Sequence, residues 1–156
     1  QSGEVRVAHP SYAADATPGD DRLLKATLRS GAASQSGLTS NRDVWVYTSN
    51  TASIPIIRNE ELILIYAEAK MQLNAIPDAV VAINRIRIAH GLPVYTGGVT
   101  QAALITEMLL QRRYSLFYEG HRWVDLRRYN RLNTLPIDRA GDDVWDRFPI
   151  PQNENI

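Results

Sequence analysis

QRRYSLFYEGHRWVDLRR, running from Gln111 to Arg128, decides how the chain is read. Five arginines, Glu119, Asp125 and four aromatics surround a single glycine, Gly120. Charges three residues apart on either side of a helix-breaking glycine describe two helices that meet at a tight corner and are pinned by ion pairs. Arg122 and Asp125 are three apart, as are Asp125 and Arg128, so one carboxylate can lie between two guanidinium groups; Glu119 stands three before Arg122 across the corner. Glu119, Arg122, Asp125 and Arg128 are therefore expected to form a structural network that fixes how the helices cross. Breaking one partner of such a network costs about 3–5 kcal/mol when the pair is buried.

Glu119 and Asp125 also invite a reading as the acid and base of a glycosidase. Arginines this close favour the ionised carboxylates and leave the would-be acid without its proton, which argues against that chemistry. As a site for phosphate or another anion the arginine cluster has suitable chemistry, but bracing is the simpler use of it.

Upstream of the corner the pattern is helical. NEELILIYAEAKMQLN, from Asn59, carries an N-cap residue, two acids in its first turn and apolar residues at helical spacing, with Leu62, Ile65, Tyr66, Ala69 and Leu73 as the expected inner face. A second helix starts at Pro77 and stops at Gly91, with Val80, Ile83, Ile86 and either Ala89 or His90 turned inward. So short a connection makes the two antiparallel neighbours. A third helix is expected from a Thr100 cap to Glu119, burying Leu104, Met108, Leu109 or Tyr114, and Phe117; a short fourth spans His121 to Tyr129. The fold class is mainly α, built of antiparallel helical hairpins in a tetratricopeptide-like stack, although the literal repeat consensus is absent.

Residues 1–58 are rich in Ser, Thr, Gly, Asn and Asp and read as a loop-rich segment with at most a short β-hairpin, from Asp43–Thr48 and Ser53–Ile57. Residues 59–131 form the helical core, and 132–156 a loop that wraps back over the surface. All three belong to one expected domain, as 156 residues allow. Two hairpins cut from a longer stack should leave an apolar face uncovered, to be met by another copy or another chain.

Composition removes several classes of function. Seventeen basic and seventeen acidic residues lack the positive excess that binding a phosphate backbone requires, so nucleic acid is not expected as a partner. No cysteine is present to act as nucleophile, disulfide or thiolate ligand. His9, His90 and His121 are scattered, and the aspartates at 15, 20 and 21 and at 138, 142, 143 and 146 do not match a calcium loop; they read as solvated turn residues, with no metal and no cofactor expected. The longest apolar run, Leu62–Ala67, is about a third of a membrane-spanning helix. The start, QSGEVRVAHP, lacks an initiating Met and a signal-peptide layout, and reads as that of a mature or truncated piece. Of the aromatics that sugar-binding surfaces use as stacking platforms, Trp45, Tyr47, Trp123 and Trp145 stand out; Trp123 is expected in the core, and Trp45 and Tyr47 are the candidates for ligand contact.

These residues resemble the SusD/RagB-like nutrient-binding outer-membrane lipoproteins. Arg58, Glu61, Leu64 and Ala67-Glu68-Ala69 match one helix of that family, and Asn84 to Arg87 its Asn-x-Ile-Arg element. Gln111-Arg112, Ser115-Leu116-Phe117, Glu119-Gly120-His121-Arg122 and Asp125-Leu126-Arg127-Arg128 follow its central run, Phe148-Pro149-Ile150-Pro151 with Glu154 its closing motif, and Asp21-Arg22 its upstream Asp-x-Arg or Asp-Arg element. Gln111 and Ser115 depart from it, standing where the family often has Glu, so that Arg112 or Arg113 should pair differently or face solvent. Family members are also much longer, and this chain looks like their C-terminal part. The resemblance implies a non-catalytic subunit, lipid-anchored at the cell surface in the outer membrane, that sits on a TonB-dependent (SusC-like) transporter and delivers oligosaccharide or another nutrient to it; the missing N-terminal part would be its intramolecular partner. The alternative is a helical-hairpin protein–protein adaptor that binds no glycan.

Overall fold

A computed structural model describes residues 6–148, 150 and 151. Pro149 and Glu154 of the closing motif lie outside the described residues. The elements run α1 (Ser11–Ala14), a 3-10 turn (Asp21–Lys25), β1 (Ala26–Gln35), β2 (Leu38–Val44), α2 (Asn59–Gln72), α3 (Ile76–Ala89), α4 (Gln101–Ser115), α5 (His121–Arg128) and a second 3-10 turn (Leu132–Thr134). The described residues are thus helix-rich, with a two-stranded antiparallel sheet in the N-terminal part. They form two compact units that part between Arg122 and Trp123.

In the first unit α2, α3 and α4 pack against one another. Each of the first two ends in a left-handed residue that lets the backbone take up its last carbonyls. Asn74 (φ 56°) closes α2, with Ala75 N–H on Lys70 O and Asn74 N–H on Met71 O; Gly91 (φ 73°) closes α3 in the same way, through Leu92 to Arg87 O and Gly91 to Ile88 O. Three residues therefore join α2 to α3 as an antiparallel hairpin. α4 starts where its cap was expected, with Thr100 Oγ1 accepting from Ala103 N–H. It stops at Ser115, short of Glu119, because Lys25 Nζ donates to the carbonyls of Tyr114 and Ser115 and the following turn carries two positive φ angles, at Tyr118 and Gly120.

The inner face of α2 differs from the expected one. Leu64, Ala67 and Met71 are fully buried, whereas Leu62, Ile65, Tyr66 and Leu73 are exposed. Both sets have helical spacing, because Leu62–Ala67 is apolar all round, and period alone cannot choose between two apolar stripes. In α3 the buried set is Ala79, Ala82, Ile83, Ile86 and Arg87, and in α4 it includes Leu104, Met108, Leu109 and Tyr114.

The sheet also lies elsewhere than expected. Only Asp43 and Val44 of the first strand candidate belong to β2, and Ser53–Ile57 forms no strand. β1 and β2 pair from Ala26↔Val44 to Gln35↔Leu38, with an irregularity between Leu28 and Ala33. The turn is Ser36-Gly37, both at positive φ (52° and 81°), the backbone twist a two-residue hairpin needs. Backbone pairing makes this sheet, while its small side chains carry almost none of the β-branched signal by which a strand is read. At its base Ala8, Tyr12, Ala26 and Tyr114 form a second small core. Tyr12 stacks on Tyr114 at 5.1 Å and on Phe117 at 4.0 Å, and its hydroxyl donates to Arg22 O.

The second unit holds α5 from Trp123 onward and the loop after it. α5 ends on Asn130 (φ 54°), with Arg131 N–H on Leu126 O and Asn130 N–H on Arg127 O. No helix among the described residues is long and apolar enough to cross a membrane.

Candidate functional site

Among the described residues of the first unit the most buried charged group is Arg22, 1% exposed. It leaves the 3-10 turn beside Asp20, which caps that turn by accepting from Arg22 N–H and binds the guanidinium with both oxygens, from Nε at 2.8 Å and Nη2 at 2.7 Å. The other side of the guanidinium reaches α4: Nη2 donates to Gln111 Oε1 at 2.7 Å and Nη1 to Ser115 Oγ at 3.0 Å. Gln111 then passes the chain on, its Nε2 donating to Glu107 Oε1 at 2.8 Å, and Glu107 pairs with Arg87 of α3. Arg87 Nε donates to Pro93 O. A single buried run of charge-assisted hydrogen bonds thus ties the N-terminal turn, α4 and α3 together, with every member satisfied by the next.

One sequence expectation is corrected: Asp20, read as a solvated turn residue, is 4% exposed and bound to Arg22. Gln111 and Ser115 face Arg22. Arg113 has the different pairing that the sequence implied, with Asp15 at 2.7 Å, and donates to Ser11 Oγ, while Arg112 is buried. The sequence reading matched Asp21-Arg22 to the upstream element, whereas the partner of Arg22 is Asp20; which groups would meet them across the fold had no signal.

A second set of charges gathers where α2 begins. His90, at the end of α3, lies between Asp21 (Nδ1–Oδ1 2.7 Å) and Glu60 (Nε2–Oε1 3.0 Å). Burial raises the Glu60 pKa, but the Ser115 hydroxyl, the His90 and Lys25 charges and the His90 hydrogen bond outweigh it and hold the carboxyl below its ordinary range. Burial, the largest influence on Lys25, lowers its pKa, against the neighbouring Glu60. Tyr12 and Tyr114 are both pushed up, by burial first.

Of the corner residues, Glu119 meets Arg58 at 2.8 Å, a charge contact off the hydrogen-bonding direction, since Glu119 Oε1 and Arg58 Nε lack hydrogen-bond partners. Arg122 Nη1 donates weakly to Leu109 O at 3.5 Å. In the second unit Asp125 is 4% exposed, and Arg128 approaches it at 3.5 Å. Tyr47 lines a cleft of about 210 Å³ with Pro55, Arg58, Glu61, Glu119 and His121, where His121 lies 3.8 Å from Glu61. Trp45 is 39% exposed, and its backbone N–H donates to Lys25 O. The structure therefore separates the two aromatics expected to contact ligand: Tyr47 opens on a polar cleft and Trp45 does not line it.

Known proteins resemble this chain in sequence. A SusD-like protein of Formosa agariphila is 33% identical over 113 residues, which cover 63% of this chain and 22% of that protein. A SusD superfamily protein from Bacteroides vulgatus, known from its crystal structure, is 35% identical, with a TM-score of 0.47 over 48% of this chain and 16% of that one. The chain thus spans about a fifth of the length of the curated relative it matches. The family model of the SusD family matches residues 32–148, taking in β2, the helical core and the corner, and the chain belongs to that family.

Proposed function

We propose that the chain is the C-terminal scaffold portion of a non-catalytic nutrient-binding subunit, which serves a TonB-dependent, SusC-like transporter in the outer membrane and hands it a glycan. Family membership over residues 32–148 carries this reading. The chemistry of the first unit supports it: the buried carboxylates Asp20 and Glu107 and the half-buried Glu60 and Glu119 each face Arg or His, an arrangement that braces helices. In the longer protein a lipid anchor would keep this scaffold at the cell surface.

The test is made on the longer protein. It should bind an oligosaccharide in calorimetry across a broad panel, and should copurify with its transporter from detergent-solubilised membranes. Failure of both refutes the proposal. Surface location is checked separately, by protease accessibility on intact cells.

One observation favours the adaptor reading as an alternative. Between α2 and α3 an open groove of about 360 Å³ is lined by Leu62, Ile63, Tyr66, Val81 and Ala82, with Asp78 and Arg85 at its edge. A groove of this kind suits the apolar stripe of an amphipathic helix. Peptide capture that is unaffected by any saccharide, together with no glycan binding by the longer protein, would favour the adaptor.

A further inference from the structure

After α5 the chain returns so that Trp123 is met by Trp145 and Phe148. Trp123 Nε1 donates to Trp145 O at 2.8 Å, and the Trp123 and Phe148 rings lie 5.7 Å apart, tilted by 35°. Together with Leu135, Pro136 and Asp143 they line an open hollow of about 480 Å³, within the size range of small-ligand sites. The aromatic walls are not spent on packing. Trp145 is 55% and Phe148 82% exposed, so two large rings face solvent at the rim of one concavity.

The charges around this hollow narrow what it can take. The Arg127 guanidinium lies over the Trp123 ring at 5.5 Å, so a cationic ligand would meet a resident cation on the aromatic face it needs. An anion would meet the exposed Asp143 carboxylate. That carboxylate is oriented by its own backbone, Oδ1 accepting from Val144 N–H at 2.7 Å, so it is presented as an acceptor at the rim. Aromatic faces carry negative charge at their centres and attract polarised C–H groups, and a carboxylate at the edge accepts from hydroxyls. The ligand that offers a C–H face and a rim of hydroxyls, without charge, is a sugar ring.

We propose that this hollow of the second unit is a saccharide subsite, in which Trp145 and Phe148 stack on the apolar face of a neutral sugar ring and Asp143 accepts from its hydroxyls. The proposal rests on the nutrient being a glycan and assigns it a place that the sequence alone did not: Trp45 and Tyr47 were the candidates there, and Trp123 was expected in the core.

The test uses the 156-residue chain and the probes glucose, galactose, mannose, xylose, cellobiose and xylobiose. Binding is read by tryptophan fluorescence and by saturation transfer from protein to sugar C–H protons. At least one probe should bind, and Trp145→Ala and Phe148→Ala should each weaken it about three- to tenfold. Asp143→Asn should weaken it about tenfold. Tyr47→Ala, in the other unit, should leave it unchanged, and circular dichroism should show all variants folded. The proposal is overturned if no probe binds, if tetramethylammonium gives the response in place of the sugars, or if the aromatic variants bind as the parent does. Glycan binding by the longer protein that survives Trp145→Ala and Phe148→Ala removes this subsite and leaves the nutrient-binding reading standing; no glycan binding by the longer protein removes that reading itself.

Discussion

Gln111 is a position where the exchange of one NH2 group for an oxygen should have a large effect. It is 1% exposed, accepts from Arg22 at 2.7 Å and donates to Glu107 at 2.8 Å. The amide does both at once, which an ionised carboxylate cannot. Gln111→Glu keeps the acceptor for Arg22 but loses the donor and sets two carboxylates against each other. Two like charges about 4 Å apart repel by about 4 kcal/mol at an effective dielectric constant of about 20. Added attraction to Arg22 offsets part of that, and the lost hydrogen bond adds about 1 kcal/mol. The pair can also take up a proton, which from an ordinary Glu pKa of about 4.3 costs about 3.7 kcal/mol at pH 7 and so caps the penalty. Gln111→Glu should therefore cost about 2–4 kcal/mol at pH 7. The proton shared by the pair raises the variant's folded-state pKa above the unfolded value, so the penalty should shrink as pH falls toward about 5. Urea unfolding followed by circular dichroism at both pH values measures this, in Gln111→Glu, Glu107→Gln and the double variant. Glu107→Gln alone leaves Arg87 without its carboxylate and should also destabilise, yet the double variant should lose well under the sum of the two single losses. Additivity within about 0.5 kcal/mol, or a penalty indifferent to pH, would refute the reasoning.

Three further outcomes test other parts of the structure. Leu64→Ala should cost about 2–5 kcal/mol by opening a cavity, whereas Leu62→Ala, half-exposed on the other stripe of α2, should stay within about 1 kcal/mol; reversed values in urea unfolding would restore the inner face expected from the sequence. Because the Glu60 pKa is depressed in the fold, its contribution is complete above the ordinary carboxylate range and is lost as pH falls through the folded value, so Glu60→Gln should flatten the acid limb of the stability profile. The hydroxyls of Tyr12 and Tyr114 are raised by burial, so their contribution is complete below about pH 10 and is lost above it; absorbance at alkaline pH should show two tyrosines ionising late and together with unfolding.

The helical hairpin was legible because its signals are local. Asn74 and Gly91 stop their helices through their own backbone conformation, Pro77 starts one, and Thr100 caps another through a residue three positions on. What was not legible depended on something outside the window. The inner face of α2 is chosen by α3 and α4, which accept Leu64, Ala67 and Met71 and leave Leu62 and Tyr66 out. Strand β1 reads as a turn-rich run because its residues are small, and the register that makes it a strand is supplied by β2. Trp145 and Phe148 are ordinary residues in a proline-containing loop until the chain returns them to Trp123.

The same distinction changes what the stretch from Gln111 to Arg128 does. Read alone, its charges close on one another across Gly120. In the structure its first half reaches outward. Gln111 and Ser115 hold Arg22, Arg113 holds Asp15, and Glu119 meets Arg58. Each of these partners comes from the loop-rich N-terminal segment, whose apolar docking is confined to a small core of Ala8, Tyr12 and Ala26 against Tyr114. Charge-assisted hydrogen bonds at fixed geometry add to that core and specify the segment's position. A neutral Gln and Ser facing Arg22 suit that role, because Asp20 already neutralises the guanidinium, and further carboxylates would crowd a buried site that needs acceptors more than charge. Gln111 and Ser115 therefore belong to the bracing network, as the two places where it holds Arg22 with neutral hydrogen-bonding groups.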